Sequence, residues 1–585
     1  MKIKSLLIGM LACTALVGCT SEDAPEVNNG ENGGEKAYLA VKLVNPSVAS
    51  RTTGDYAYGS EDEQTVTSAR FYLFDANGGA YIISDNSANP ANSGKNYVDV
   101  ANPTSTDGFK DSGSGNVETI LQAVLVINKS NVAPPASIVA VLNYTTELGT
   151  ENLTLDNLKT KIANFGTIKG DKGATSTYTT KGKFVMSNSV YVDATGTIAC
   201  ETPIAPENIC ITPGDGTNGD NSGALQHPVQ IYVERVAAKV QTNVTAAEAE
   251  GTKGEFFKSG NYYYANTGIK DAANKDIYAR LKGWRVTNIT AQSNLIKDLD
   301  ATATAALTWQ WNNAANFRSY WADANEKPVF KWTFNDASLS FDTNNWEYYN
   351  ENTQNVARQN SQLMVAVEFV TKNGEGILGE PQPIAEWYGV KYTLDQLKTA
   401  VANSLASKLY TRTGSEGNYT YTSIATAAIT FTQDPYTNES ERYLCRIGVA
   451  NATYYYKNDQ GAMDDYSADE LTALVSALQP AKIWGGLDEN NAYQGGGYYY
   501  LDIIHNAGTI TKAEDGTVTD TNVYGLVRNH WYKLTLSSLS GLGTPVYNPN
   551  EIIITEKPDT DYSYIAAKIN VLAWRMVEQN DIVLQ

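Results

Sequence analysis

Histidine and cysteine, the residues most used for metal binding and nucleophilic chemistry, are scarce. The 585 residues include five cysteines and three histidines. His227, His505 and His530 stand far apart or beside structural neighbours, and none has metal-ligand spacing or lies in a His-Glu-x-x-His pattern. Cys13 and Cys19 lie at the start of the chain, which leaves Cys200, Cys210 and Cys445. An odd number is no disulfide framework; Cys200 and Cys210 either pair across a loop or are buried thiols. There is no Gly-x-x-x-x-Gly-Lys phosphate loop and no Gly-x-Ser-x-Gly nucleophile elbow. Asp215, Asp220 and Asn221 do not have the spacing of a calcium loop. A glycosidase needs only two carboxylates brought together by the fold, and 64 acidic residues single out no pair. Basic residues are also in deficit, 44 Lys and Arg against 64 Asp and Glu, for a net charge of −20. Such a chain repels phosphate backbones, so nucleic acid is not an expected partner. Beyond the first twenty residues no apolar run is long enough for a membrane-spanning helix. Neither an enzyme nor a bound metal or cofactor is expected.

What is present begins at the N-terminus. Lys2 and Lys4 precede a mostly apolar stretch, Ser5 to Val17, too short to span a bilayer. It ends in Leu16-Val17-Gly18-Cys19, which resembles a bacterial lipobox. Residues 1–18 are then a signal peptide, and the Cys19 thiol takes the diacylglycerol that anchors the chain to a membrane. Thr20-Ser21-Glu22-Asp23 begins an Asn-, Gly- and Glu-rich tether that runs to residue 36.

The remainder reads as all-β with few helices. Thirty-seven tyrosines and abundant threonine favour strands. Ala37, Leu39, Val41 and Leu43 alternate onto one face, and Pro46 stops that run. A polar loop follows, Ser50-Arg51-Thr52-Thr53-Gly54. Further strands are expected at 66–74, 119–127, 138–144, 183–193, 229–244, 284–292, 363–370, 427–432, 441–450, 498–504, 523–537 and 565–577. Helices are expected from Thr154 to Phe165, from Thr393 to Leu405, and from Ser467, where Glu470 completes a capping box. Thr154-Leu155-Asp156-Asn157-Leu158-Lys159-Thr160 nearly repeats as Thr393-Leu394-Asp395-Gln396-Leu397-Lys398-Thr399, each after a strand with a Val-Ala-Val centre. Two domains on one plan explain this repeat, and so does the limited vocabulary of capped amphipathic helices. Many short strands with turn-rich loops point to β-sandwiches.

Several segments together resemble the fimbrilin family of Bacteroidia, the subunits of type V pili, and especially its minor-fimbria major-subunit branch. They are the lipobox; the 37–44 strand followed by Arg51-Thr52-Thr53; Val229 to Val240; Tyr524-Gly525-Leu526-Val527-Arg528-Asn529-His530-Trp531-Tyr532-Lys533-Leu534 leading to Gly541-Leu542-Gly543-Thr544-Pro545; and the terminal Ile569-Asn570-Val571-Leu572-Ala573-Trp574. The resemblance implies two transthyretin-like β-sandwich domains in tandem. It also implies a fimbrium at the outer membrane and cell surface, with other copies of this chain and other pilus subunits as partners. A trypsin-like or arginine-specific protease would cut between Arg51 and Thr52, after lipid on Cys19 has held the precursor at the membrane. The expected divisions are residues 19–51 as tether and removable strand, 52–245 and 246–557 as sandwiches, and 558–585 as a donor segment. The donor strand would use Ile565, Ala567, Ile569, Val571 and Ala573; alternatively that run is a core strand of its own domain. The competing reading is a monomeric surface glycan-binding lipoprotein of stacked sandwiches.

Overall fold

In the computed structural model the described residues are 36–44, most of 59–546, 564–572 and 577–578; the longer internal stretches outside them are 45–58, 84–92, 102–119, 165–182, 211–222, 298–331, 353–359, 434–443 and 547–563. The described chain is mostly strand. Its α-helices are Glu61–Gln64, Leu155–Lys159, Leu394–Leu405 and Ala468–Ser476.

The N-terminal sheet turns on one strand, Val229–Arg235. Its first half pairs in parallel with Lys36–Val44, Val41 opposite Val229 and Val44 opposite Tyr232. Its second half pairs antiparallel with Met186–Asn188. From there the sheet continues through Ser137–Leu142 and Ser68–Phe74 to Tyr97–Ala101. One strand serving both halves lets the sheet bend over a core. Leu39, Leu125 and Ile127 come from one side; Phe71, Leu73, Ile138 and Ala140 come from the other. Ser68–Phe74 buries six consecutive residues, which fits a central strand covered on both faces.

The expected strand 229–244 is two strands in two sheets. After the buried Val236, Ala237–Val244 pairs in parallel with Trp531–Ser540 and antiparallel with Trp346–Asn350. A second sheet, centred on Asp276–Thr287, Gln362–Thr371 and Gly497–Asp502, faces it. Val240, Tyr532, Leu534 and Leu536 of the first sheet share a core with Leu281, Trp284, Val365 and Val367 of the second. These two layers form the C-terminal sandwich.

A third core was not foreseen. Gln362–Thr371 and Gly497–Asp502 are ladder neighbours, yet residues 384–487 lie between them in sequence. That stretch builds its own sheets and packs helix Leu394–Leu405 through Leu397, Val401, Ala402 and Leu405 onto Ala385, Ile429, Ile447 and Ile483. Its first hairpin turns at Tyr388 and Gly389, with φ of 48° and 76°. Two left-handed residues give the turn the twist of its strands, at some steric cost for the tyrosine.

Two helix expectations hold closely. Thr393 Oγ1 accepts from Gln396 N while the Gln396 side chain returns to Thr393 N. Ser467 and Glu470 do the same. The helix expected from Thr154 to Phe165 is shorter. Thr154 caps it and Leu155 and Leu158 are buried, but it ends at Lys159. Ile162–Asn164 then pairs antiparallel with Gln292–Asn294. The ladder to a distant strand overrides the helical spacing of Ile162, a tertiary effect local propensity does not carry.

Candidate assembly site

The strand Lys36–Val44 occupies a slot. On one edge it pairs antiparallel with Ile120–Asn128 along its whole length, from Lys36 opposite Asn128 to Val44 opposite Ile120. On the other edge Tyr38 and Leu39 meet Cys210 and Ile209, and residues 41–44 meet residues 229–232. Leu39 is fully buried and stands opposite the buried Leu125; Val41 and Leu43 stand opposite the buried Val229 and Ile231. Among the described residues, Ile120–Asn128 ladders with no other strand. Lys36–Val44 therefore holds Ile120–Asn128 to the sheet. Taking it away would leave two facing rows of unpaired backbone groups over an apolar core, the form of site that accepts another strand.

At the other end of the chain, Tyr564–Leu572 pairs antiparallel with Trp531–Ser540. The register sets Ile565 opposite Leu539, Ala567 opposite Leu536, Ile569 opposite Leu534 and Val571 opposite Tyr532. All four of those partners are buried. In the single chain this strand thus completes the edge of its own sandwich. Ala573 lies outside the described residues, as do Cys19, Arg51 and Thr52.

Two buried ion clusters join the sandwiches. The first lies just downstream of Arg51. Helix Glu61–Gln64 carries Glu63, whose carboxylate receives Lys239 Nζ at 2.7 Å, Ser60 N at 2.6 Å and the Tyr348 hydroxyl. Arg235 Nε donates to the Glu63 carbonyl at 2.8 Å. Lys239 Nζ lies 4.1 Å from the ring centre of Trp346 and 4.0 Å from that of Trp531. Burial works to raise the Glu63 carboxyl, but the charges of Lys239 and Arg235 outweigh it and hold the group below its ordinary value. The second cluster pairs Lys297 with Glu234 at 3.2 Å and Arg528 with Glu351, with Nε–Oε1 at 2.9 Å. Arg528 also donates to the carbonyls of Asn294 and Leu295. All four charged residues are essentially without solvent contact. Burial raises the Glu234 carboxyl and lowers the Lys297 ammonium, against their mutual attraction. Around them one apolar cluster runs from Tyr72, Val139 and Leu158 to Val236, Leu295, Val523 and Val527.

None of Glu63, Glu234, Lys239 and Lys297 was singled out in the sequence. The visible signal was the charged pair Glu234-Arg235 inside an apolar run, which alternation alone leaves unexplained. Cys200, Cys210 and Cys445 are buried free thiols, and burial pushes the Cys200 thiol up to about 12. His505 and His530, separate in sequence, meet edge to face with ring centres 4.9 Å apart, and His505 Nδ1 is 2.8 Å from the Tyr532 hydroxyl. No group of three metal-ligating side chains occurs among the described residues.

Residues 491–580 match the family model described as major fimbrial subunit protein type IV, fimbrillin, C-terminal. No curated protein matches the chain. Among solved structures, a fimbrial assembly protein from Parabacteroides distasonis is 12% identical with a TM-score of 0.28, covering 58% of this chain and 97% of its own. The tip fimbrial protein Mfa3 from Porphyromonas gingivalis, with C-terminal truncation, is 11% identical with a TM-score of 0.29, covering 91% and 99%. Likenesses this distant add nothing to the family match. The matched segment contains the paired strands Trp531–Ser540 and Tyr564–Leu572, the buried Arg528 and the histidine pair His505–His530. Over residues 491–580, then, the chain is similar to the C-terminal part of major fimbrial subunit proteins.

Proposed function

We propose that this chain is a shaft subunit of a surface fimbrium, exported as a lipoprotein on Cys19, cut between Arg51 and Thr52 by a trypsin-like or arginine-specific protease, and polymerised by strand exchange. The observation that carries the reading is the slot of Lys36–Val44. This strand lies upstream of the proposed cut, contributes Leu39 to the core, and is the ladder partner of Ile120–Asn128. After cleavage no covalent bond retains it. The incoming strand would run parallel to residues 229–232 and antiparallel to 120–128. Tyr564–Leu572 suits that role: it carries an alternating apolar row and already matches a buried row of its own subunit. At roughly 1.5–3 kcal/mol per fully buried large aliphatic side chain, three or four such residues give about 5–12 kcal/mol gross, less the cost of ordering the tail. Strand release at both ends and strand capture between copies exchange like for like, so the polymer is favoured by the permanence of the cut.

In this reading residues 52–245 and 246–557 are the two sandwiches and 558–585 the donor segment, with the change of sheet at Val236. The stretch 384–487 is a module set into the second sandwich. The buried clusters at Glu63 and Arg528 hold the two sandwiches in one orientation, as a rod that bears tension requires. The test is to digest the purified precursor with an arginine-specific protease. Fibres by electron microscopy and a ladder on SDS-PAGE are expected. Protein cut after Arg51 that has released residues 36–44 and stays monomeric overturns the proposal.

A further inference from the structure

In the inserted module, the strand Asn418–Ser423 ends a four-stranded sheet. It pairs with Tyr410–Ser415 on one side only among the described residues, Gly414 opposite Tyr419 and Arg412 opposite Tyr421. Both strands of this hairpin are exposed on both faces over most of their length. Sheets ordinarily protect such an edge with lysine, proline, a bulge or a covering loop. Here the edge reads Asn-Tyr-Thr-Tyr-Thr-Ser, and no charged residue occurs between Glu416 and Asp434. Threonine and tyrosine are strong strand formers. The tyrosines serve no core: Tyr419 is 38% exposed. Instead they lie with Arg412 and Tyr455 on one face, the Arg412 guanidinium 4.1 Å from the Tyr419 ring centre and Tyr421 5.2 Å from Tyr455.

We propose that this edge pairs with the same edge of a second copy of the chain, antiparallel about a two-fold axis at Thr420. Two features select a second copy over an unrelated segment. The run Tyr419-Thr420-Tyr421 reads the same in both directions about Thr420, so this register sets Tyr419 opposite the second copy's Tyr421, Tyr421 opposite its Tyr419 and Thr420 opposite its Thr420, with Asn418 facing Thr422 on either side of the run. A C2 contact pairs residue i with j and j with i, and here the central pairs are tyrosine with tyrosine and threonine with threonine. The chain also carries a net charge of −20, so two copies repel over most of their surfaces, and a neutral edge is where they can approach. One five-residue ladder is a weak contact. This inference rests on the fimbrial reading for its consequence: repeated once per subunit along two shafts, weak contacts sum, and fibres bundle side by side.

The test uses soluble, unpolymerised full-length protein, so its outcome does not depend on strand exchange. Directly opposed residues in an antiparallel ladder have Cα atoms about 4.5–5.5 Å apart, within disulfide range. Under mild oxidation the Thr420→Cys protein should give a disulfide-linked dimer, with the unsubstituted protein as blank. Thr422→Cys faces Asn418 in this register, about 13 Å from its own counterpart, and should stay monomeric. Adding Tyr421→Lys to Thr420→Cys should abolish the dimer while the circular dichroism spectrum is unchanged. A Thr420→Cys protein that remains monomeric, or equal dimer yields from Thr420→Cys and Thr422→Cys, overturns the proposal.

Discussion

Replacing Glu63 by alanine should be among the most damaging single changes at the junction of the sandwiches. The side chain is fully buried and receives Lys239 Nζ at 2.7 Å. In the intact protein the Lys239 ammonium is 2% exposed and also lies near the Trp346, Trp531 and Tyr348 rings. Those ring contacts exist before and after the substitution and so do not offset the loss. Removing one partner of a buried ion pair costs about 3–5 kcal/mol, because the other charge is left uncompensated. Tyr348 is only half-buried, so its hydroxyl recovers a hydrogen bond from water and adds little. Denaturant unfolding of wild-type and Glu63→Ala proteins at pH 7 should therefore differ by about 3–5 kcal/mol in the transition that includes the N-terminal sandwich. The pH dependence is a second reading of the same contact. The Glu63 carboxyl is held below its ordinary value in the folded state. Its contribution is then complete above the unfolded value, near pH 4.3–4.5 on the scale of free glutamate, and is lost as pH falls through the folded value. The difference between the two proteins should be flat from about pH 5.5 to 8 and shrink in stronger acid. A loss below about 1 kcal/mol at pH 7, or a difference unchanged on acidification, would refute the clamp; Lys239→Met in the Glu63→Ala background should recover part of the loss.

The remaining predictions concern assembly. Cys19→Ala should abolish incorporation of a fatty-acid analogue, and undiminished label would end the lipoprotein reading. Arg51→Ala should leave the precursor monomeric, whereas N-terminal sequencing of wild-type fibres should begin at Thr52; fibres that retain residues 36–44 would exclude the slot model. Val571→Asp places an unpaired charge opposite Tyr532, at a cost of several kcal/mol; it should stop fibre growth seen by light scattering while the precursor still folds. Deleting 562–585 should also stop growth, and because Leu534 and Leu536 lose their ladder neighbour it should lower the melting temperature of the second sandwich by a few degrees. Fibres from the truncated protein would show that assembly uses another contact.

Much of the strand content was legible because alternation and turn residues are local signals. Gln362–Thr371 and Ile120–Asn128 lie close to where spacing puts strands, the run expected at 523–537 divides into Val523–Tyr524 and Trp531–Ser540 in different sheets, and the capping box at Ser467 forms as expected. The exposed hairpin Tyr410–Ser423 escaped notice because it has no apolar row; both of its faces meet water. The module 384–487 escaped because its boundaries are short loops of ordinary composition, and only the pairing of Gln362–Thr371 with Gly497–Asp502 shows that it is an insertion. Ile162 kept helical spacing and yet became a strand, because Gln292–Asn294 lies alongside.

Composition and periodicity by themselves determined an acidic, strand-rich chain without the motifs of phosphate or zinc chemistry, for these follow from counts and from spacings of two and 3.6 residues. They also marked the two alternating runs near the ends of the chain. The tertiary structure decided what each run touches: that Lys36–Val44 lies between residues 120–128 and 229–232, and that Tyr564–Leu572 lies along Trp531–Ser540. It decided too that Val236 ends one sheet and that Glu63 meets Lys239, residues 176 positions apart. Alternation says which face of a strand is buried; which strand lies beside it depends on contacts between residues far apart in the chain, and no local pattern records them.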